Sequence, residues 1–125
     1  MVTDAILLIA HGSRRPAANA DLVHVANSVQ ERLPDRIVEI AYLELAEPSI
    51  PDGLETCRQR GAQGIAMLPY FLSAGSHVTR DLERFRQEFL DAHPELACLL
   101  CPPLGLHPLL VDVLLDRFEE GMRTP

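Results

Sequence analysis

A chain of 125 residues can bury one hydrophobic core and not two, so a single domain over residues 1–125 is expected. Its 18 acids outnumber 11 bases, every one of them arginine, and the net charge of −7 excludes the broad basic face of a nucleic-acid binder. No apolar run nears the roughly 18 residues that cross a bilayer, so no membrane segment is expected.

The opening MVTDAILLIAHG lacks a basic start and carries Asp4, so it does not read as a signal peptide. Three cysteines, an odd number, then imply reduced thiols and a cytoplasmic protein.

The first element is an aliphatic run at 5–10, AILLIA, which stops at His11. Gly12, Ser13, Arg14 and Arg15 follow, and Pro16 suits the first turn of a helix. Across 17–33, Ala18, Leu22, Val25, Ala26, Val29 and Leu33 recur at three- and four-residue steps, which predicts that helix. A second run, IVEIAYL at 37–43, leads to Glu44, Glu47, Pro48 and Ser49. A helix over about 51–61 comes next, introduced by Ser49 or Ile50 and ended by Gly61.

The third run, 64–70, continues into PYFLSAGSHVTRD, which delivers Gly75, Ser76, His77 and Arg80. Val78, Leu82, Phe85 and Phe89 then predict a helix over 78–92. The fourth run, LACLLC at 96–101, gives way to CPPLGLHP with Gly105 and His107. After Pro108 a last helix shows Leu110, Val113, Leu114 and Phe118.

The four apolar runs are nearly continuous, as in strands covered on both faces, and they alternate with helices. That order predicts an α/β fold: a four-stranded parallel sheet flanked by helices, of flavodoxin-like type. Ligands in such folds sit outside the carboxyl ends of the strands. His11, His77 and His107 all fall there, with His11 and His77 at equivalent places after strands expected to be neighbours.

Two imidazoles and the Glu44 carboxylate make a donor set suited to a divalent transition metal with open positions. Glu44 reads equally well as a solvated loop carboxylate, and His107 equally well as a turn or cap residue. Gly12-Ser13 and Gly75-Ser76 let backbone approach a ligand, each leading to a helix N-terminus that favours anions. Ser13, Arg14, Arg15, Gly75, Ser76 and Arg80 are therefore the candidate anion-binding residues, suited to carboxylate or phosphate.

Cys98 and Cys101 stand three apart on a strand, a spacing that points them to opposite faces and away from a shared metal. AHGSR is similar to the Arg-His-Gly signature of histidine phosphatases, but Ala10 stands where that arginine belongs. No glycine-rich nucleotide loop is present.

Together LLIAHGSR, YLELAEPSI at 42–50, LPYFLSAGSHVTRDL at 68–82 and PPLGLHP at 102–108 resemble the short class II chelatases. These are the sirohydrochlorin chelatases of the CbiX and SirB type, and the resemblance runs over nearly the whole chain in motif order. It implies a class II chelatase half that inserts Co²⁺ or Fe²⁺, with Ni²⁺ as a further candidate, into sirohydrochlorin on routes to cobalamin or sirohaem. It implies no permanently bound cofactor, a divalent metal as substrate, and a homodimer with the cleft between subunits. By motif, His11 and His77 handle the metal, with Glu44 as a third ligand or proton acceptor. His11 can be ligand, base or both. A non-catalytic metal or tetrapyrrole carrier, or a histidine-phosphatase-like hydrolase, are the rival readings.

Overall fold

A computed structural model describes residues 3–124. In chain order it contains β1 (Ala5–Ala10), α1 (Pro16–Arg32), β2 (Ile37–Tyr42), α2 (Ile50–Gln59), β3 (Gly64–Pro69), α3 (Ser76–Ala92), β4 (Ala97–Leu100) and α4 (Leu109–Arg123). All strand pairs are parallel, in the order β2-β1-β3-β4. Ala5 is in register with Ile37 on one side and Ile65 on the other, so β1 and β3 are neighbours as expected.

Alternation along the central strand divides the core in two. Ala5, Leu7 and Ile9 enter the larger cluster, where Ile65, Met67 and Cys98 of the sheet meet Leu54 and Cys57 of α2 and Leu82 and Phe89 of α3. Leu8 faces the opposite side and packs with Leu22 and Ala26 of α1 and with Tyr42. Fully burying an aliphatic side chain such as Leu22 contributes about 1.5–3 kcal/mol, which fixes α1 across β1 and β2.

Element ends follow local chemistry. Ser49 caps α2 by accepting the Asp52 N–H, and the helix closes on Gly61, whose φ of +97° suits the residue past a helix end. The α3 helix begins at Ser76, two residues before its apolar periodicity, because Gly75 takes the extended N-cap conformation. β4 stops at Leu100, one residue short of the expected end, just before Pro102 and Pro103, which have no N–H to give a ladder.

The last helix does not flank the sheet: α4 buries none of its residues and packs closely against no strand or other helix among the described residues. Leu109, Val111, Leu114, Leu115, Phe118 and Met122 are all exposed on it.

Candidate functional site

His11 follows β1 directly, at the carboxyl edge of the sheet. Its backbone is held from the side: the Leu43 N–H donates to the Ala10 carbonyl at 2.9 Å, and the Glu44 N–H donates to the His11 carbonyl at 3.0 Å. The next residue, Gly12, has φ +95°, and a Cβ there would lie 1.8 Å from the Glu44 carbonyl oxygen. Only glycine lets the loop after β1 run this close to the loop after β2. The imidazole stacks on Phe71 at 4.5 Å between ring centroids, tilted by 33°.

Past Gly12 the chain is pinned by Asn19 of α1. Its Oδ1 accepts the Ser13 N–H at 2.9 Å, and its Nδ2 donates to the Ser13 carbonyl at 2.8 Å. The Ser13 Oγ accepts the Arg15 N–H at 3.0 Å. Behind them the buried Tyr42 donates its hydroxyl to the Asn19 carbonyl at 2.6 Å. Burial also raises the Tyr42 hydroxyl above its ordinary pKa of 10.0, so it stays a donor at neutral pH.

These groups border an open cleft of about 450 Å³, lined by His11, Ser13, Asn19, Tyr42, Tyr70 and Phe71 among others. Of the sequence-predicted site residues, His11 and Ser13 line it. Glu44 is adjacent through its backbone, with an exposed side chain. Arg14 and Arg15 are exposed at the start of α1; Gly75, Ser76, His77 and Arg80 are exposed at the start of α3. The His77 side chain is 82% exposed, with Nε2 3.7 Å from Asp81 Oδ2. Arg80 Nε donates to the Ser76 carbonyl at 3.4 Å.

The expected set of His11, His77 and Glu44 is not assembled into a metal centre within this chain. Among the described residues no group of three or more His, Cys, Asp or Glu side chains is placed to hold an ion. His107 takes the cap role: its Nδ1 accepts the Leu109 N–H at 3.2 Å, at the start of α4. The cysteines are free, and burial pushes the Cys57 and Cys98 thiols up to about 12 and about 11. Thiols so disfavoured as thiolates are poor metal ligands and nucleophiles.

The starts of α1 and α3 bring positive groups to this edge, beside the Asp21 that lines the cleft. The α1 and α3 helices start without a side-chain cap and without an acid in the first turn, whereas α2 has both. A helix N-terminus carries roughly half a positive charge; at α1 the Arg15, Ala18 and Asn19 N–H groups are already bonded locally. Among the described residues, Arg58, Arg60, Arg84, Arg86 and Arg117 are paired with carboxylates; Arg14, Arg15 and Arg80 are in no ion pair, and nor are Arg32, Arg36 and Arg123 elsewhere. Tyr70 and Leu72 line the cleft and are exposed, and Leu45, Leu104 and Leu106 are exposed on other loops of the same edge. The arrangement fits a ligand with a broad apolar body and negative groups at its rim.

Asn19, Tyr42 and Phe71 escaped the sequence reading. Asn19 lay inside a predicted helix and Tyr42 inside a predicted strand, and only the contact across the sheet edge shows what they hold. The adjacent aromatics Tyr70-Phe71 directly after β3 were the one available signal.

Comparison with known proteins places this geometry. A sirohydrochlorin ferrochelatase of Arabidopsis thaliana chloroplasts is 37% identical over 94% of the chain and 52% of its own length. A sirohydrochlorin cobaltochelatase of Methanocaldococcus jannaschii is 32% identical over 91% of the chain and 96% of its own length. The crystal structure of the sirohydrochlorin chelatase SirB from Bacillus subtilis subspecies spizizenii, in complex with cobalt, superimposes with a TM-score of 0.87 at 27% identity. It covers 95% of this chain and 51% of SirB. The chain thus spans about half the length of the Arabidopsis relative and of SirB. The sequence pattern of the CbiX family matches residues 5–121, and the chain belongs to that family.

Proposed function

We propose that residues 1–125 act as a single sirohydrochlorin chelatase domain that inserts a divalent metal, Co²⁺ or Fe²⁺ with Ni²⁺ as a third candidate, into a tetrapyrrole. The observation that carries this reading is His11, held on Phe71 at the mouth of a cleft, in a chain of the CbiX family. Metal insertion breaks two pyrrole N–H bonds, forms metal–nitrogen bonds and releases two protons, with no electron transferred. A neutral imidazole can ligate the ion or take a pyrrole proton.

His11 and His77 handle the metal, and Glu44 serves as a further ligand or proton acceptor. A loosely assembled donor set suits an ion that must leave for the macrocycle. Ser13, Arg14, Arg15 and Arg80, with the N-termini of α1 and α3, receive the peripheral carboxylates, and Gly75-Ser76 lets the backbone come close to them. The exposed Leu45, Tyr70 and Leu72 supply apolar contact for the macrocycle. The metal is substrate, and no permanent cofactor is required. Three free thiols fit a reducing compartment such as the cytoplasm.

The working unit is a homodimer. The bare apolar side of α4, with Val111, Leu114, Leu115, Phe118 and Met122 exposed, is the surface a second copy would cover. It borders a groove of about 580 Å³ shared with Leu72 and Leu106 at the edge of the cleft. The longer relatives carry about as much chain again beyond the matched segment, a length that a second copy of residues 1–125 equals.

The test is an anaerobic metallation assay with sirohydrochlorin and Co²⁺ or Fe²⁺, followed by absorbance beside a no-enzyme control. Multiple turnovers in the wild type, lost in His11→Ala and in His77→Ala, are expected. A single stoichiometric change would make the protein a carrier, and no acceleration over the control would remove the catalytic claim.

A further inference from the structure

The β1–α1 loop carries both the imidazole and the arginines of the proposed site, and two different devices hold its two halves. His11 is fixed from the sheet side by the Glu44 N–H and from below by Phe71. Neither device reaches Ser13–Arg15. That half depends on Asn19, whose single amide satisfies both backbone groups of Ser13 at 2.9 and 2.8 Å. Asn19 is itself located by the Tyr42 hydroxyl at 2.6 Å from its carbonyl, on a residue anchored at the end of β2. Both side chains line the same cleft as His11.

From this division we propose that Asn19, backed by Tyr42, is a positioning residue that latches Ser13–Arg15 for ligand binding without acting on His11. It rests on the reading of Ser13, Arg14 and Arg15 as the carboxylate-binding segment. A side-chain amide suits the task because one planar group presents an acceptor and a donor side by side, matching the N–H and C=O of one residue. The segment's other hydrogen bonds, the Arg15 N–H to the Ser13 Oγ and the Ala18 and Asn19 N–H groups to the Arg15 carbonyl, hold Arg15, so the Asn19 amide is what fixes the backbone of Ser13. Without the latch, the segment must lose its freedom each time a ligand binds, and that cost falls on affinity and not on the chemical step.

The variants are Asn19→Ala and Tyr42→Phe, with Val29→Ala as the control. Val29 packs against the same α1 cluster, at the far end of the helix from the loop, so its truncation loosens the fold without touching the latch. Three quantities are read: hydrogen exchange of the Ser13 amide in free protein, the Kd for sirohydrochlorin without metal, and kcat for metallation.

Asn19→Ala is expected to speed Ser13 exchange and weaken Kd about tenfold, with kcat within about threefold of wild type. Tyr42→Phe shifts Kd in the same direction by about threefold, and adds nothing when Asn19 is already alanine. Val29→Ala leaves Ser13 exchange and Kd unchanged. Unchanged Ser13 exchange in Asn19→Ala overturns the latch, as does a Kd effect matched by Val29→Ala. A fall in kcat with Kd preserved would place Asn19 in the chemistry and refute its separation from His11. Absence of turnover in the wild type would sink the chelatase reading instead, because exchange and Kd are measured without it.

Discussion

Replacing Gly12 by alanine should do more damage than any other single methyl group added near the site, and Gly61 provides the comparison that shows why. Both glycines have nearly the same left-handed backbone, φ +95° and +97°. An L-residue forced there costs about 1–2 kcal/mol. At Gly61 that is the whole effect, because a Cβ would meet nothing within 4 Å. At Gly12 the same Cβ would sit 1.8 Å from the Glu44 carbonyl oxygen and 3.3 Å from the Tyr42 Cβ. The β1 and β2 loops must then part by more than about 1 Å, which breaks the Glu44-to-His11 hydrogen bond at a further cost of about 1 kcal/mol. Strain spread to the neighbouring Leu43–Ala10 bond brings the total to about 3–4 kcal/mol. In a domain of this size that lowers Tm by roughly 10–15 °C, against about 5 °C for Gly61→Ala. Metallation should fall about a hundredfold in Gly12→Ala, because His11 moves with the loop, and should be nearly unchanged in Gly61→Ala. Thermal melts by circular dichroism and the absorbance assay measure both. Equal melting temperatures for the two variants, or full activity in Gly12→Ala, would refute the close-approach reasoning.

Other outcomes follow from the opposite end of the sheet, the core thiols and the last helix. Burial alone would raise the Asp4 carboxyl, but the Gly64 and Gln63 N–H groups and the Arg36 guanidinium together bring it below its ordinary 3.8. A lowered pKa means stabilisation that is whole above pH 3.8 and fades as pH falls below it. Urea titrations should therefore show Asp4→Ala less stable than wild type by about 1 kcal/mol at pH 7, the gap closing toward pH 2. Alkylation at pH 8 should mark Cys101 well before Cys98 and Cys57, whose buried thiols lie near 11 and 12; mass spectrometry showing Cys57 modified first would contradict the packing. Sedimentation should give a dimer for the wild type and a folded monomer for the double variant Leu114→Glu, Phe118→Glu. Two exposed positions carry little of the fold, so a variant that unfolds would contradict the bare placement of α4.

The fold was legible because each element carried its own period and punctuation. Alternate faces of β1 enter different clusters, so its sequence had to be apolar throughout, and that continuity is what marks a covered parallel strand. Pro16, Ser49 and Gly61 marked helix ends at the places where they act. The site was legible only as far as the strand ends that deliver it. His11 could be placed at the edge, but its orientation depends on Phe71, sixty residues on, and the Ser13 loop depends on the side-chain amide of Asn19, whose backbone carbonyl is held by a tyrosine of β2. Those are side-chain hydrogen bonds and ring contacts, which leave no period in a sequence.

The helix α4 shows a different limit. Its apolar positions have helical spacing, yet they lie exposed. Spacing reports that a face is to be buried and says nothing about which molecule buries it. The same reasoning explains why His11, His77 and Glu44 could be picked out and yet do not meet as a three-ligand centre. Motif order records what the working site contains, and a site that lies between two copies need not be complete in either. On the proposed homodimer, with the site shared between copies, the Leu114→Glu, Phe118→Glu variant should lose dimer and metallation together, while each monomer keeps its melt. Separation of the two losses, with a monomer that still turns over, would show that one chain holds the whole site.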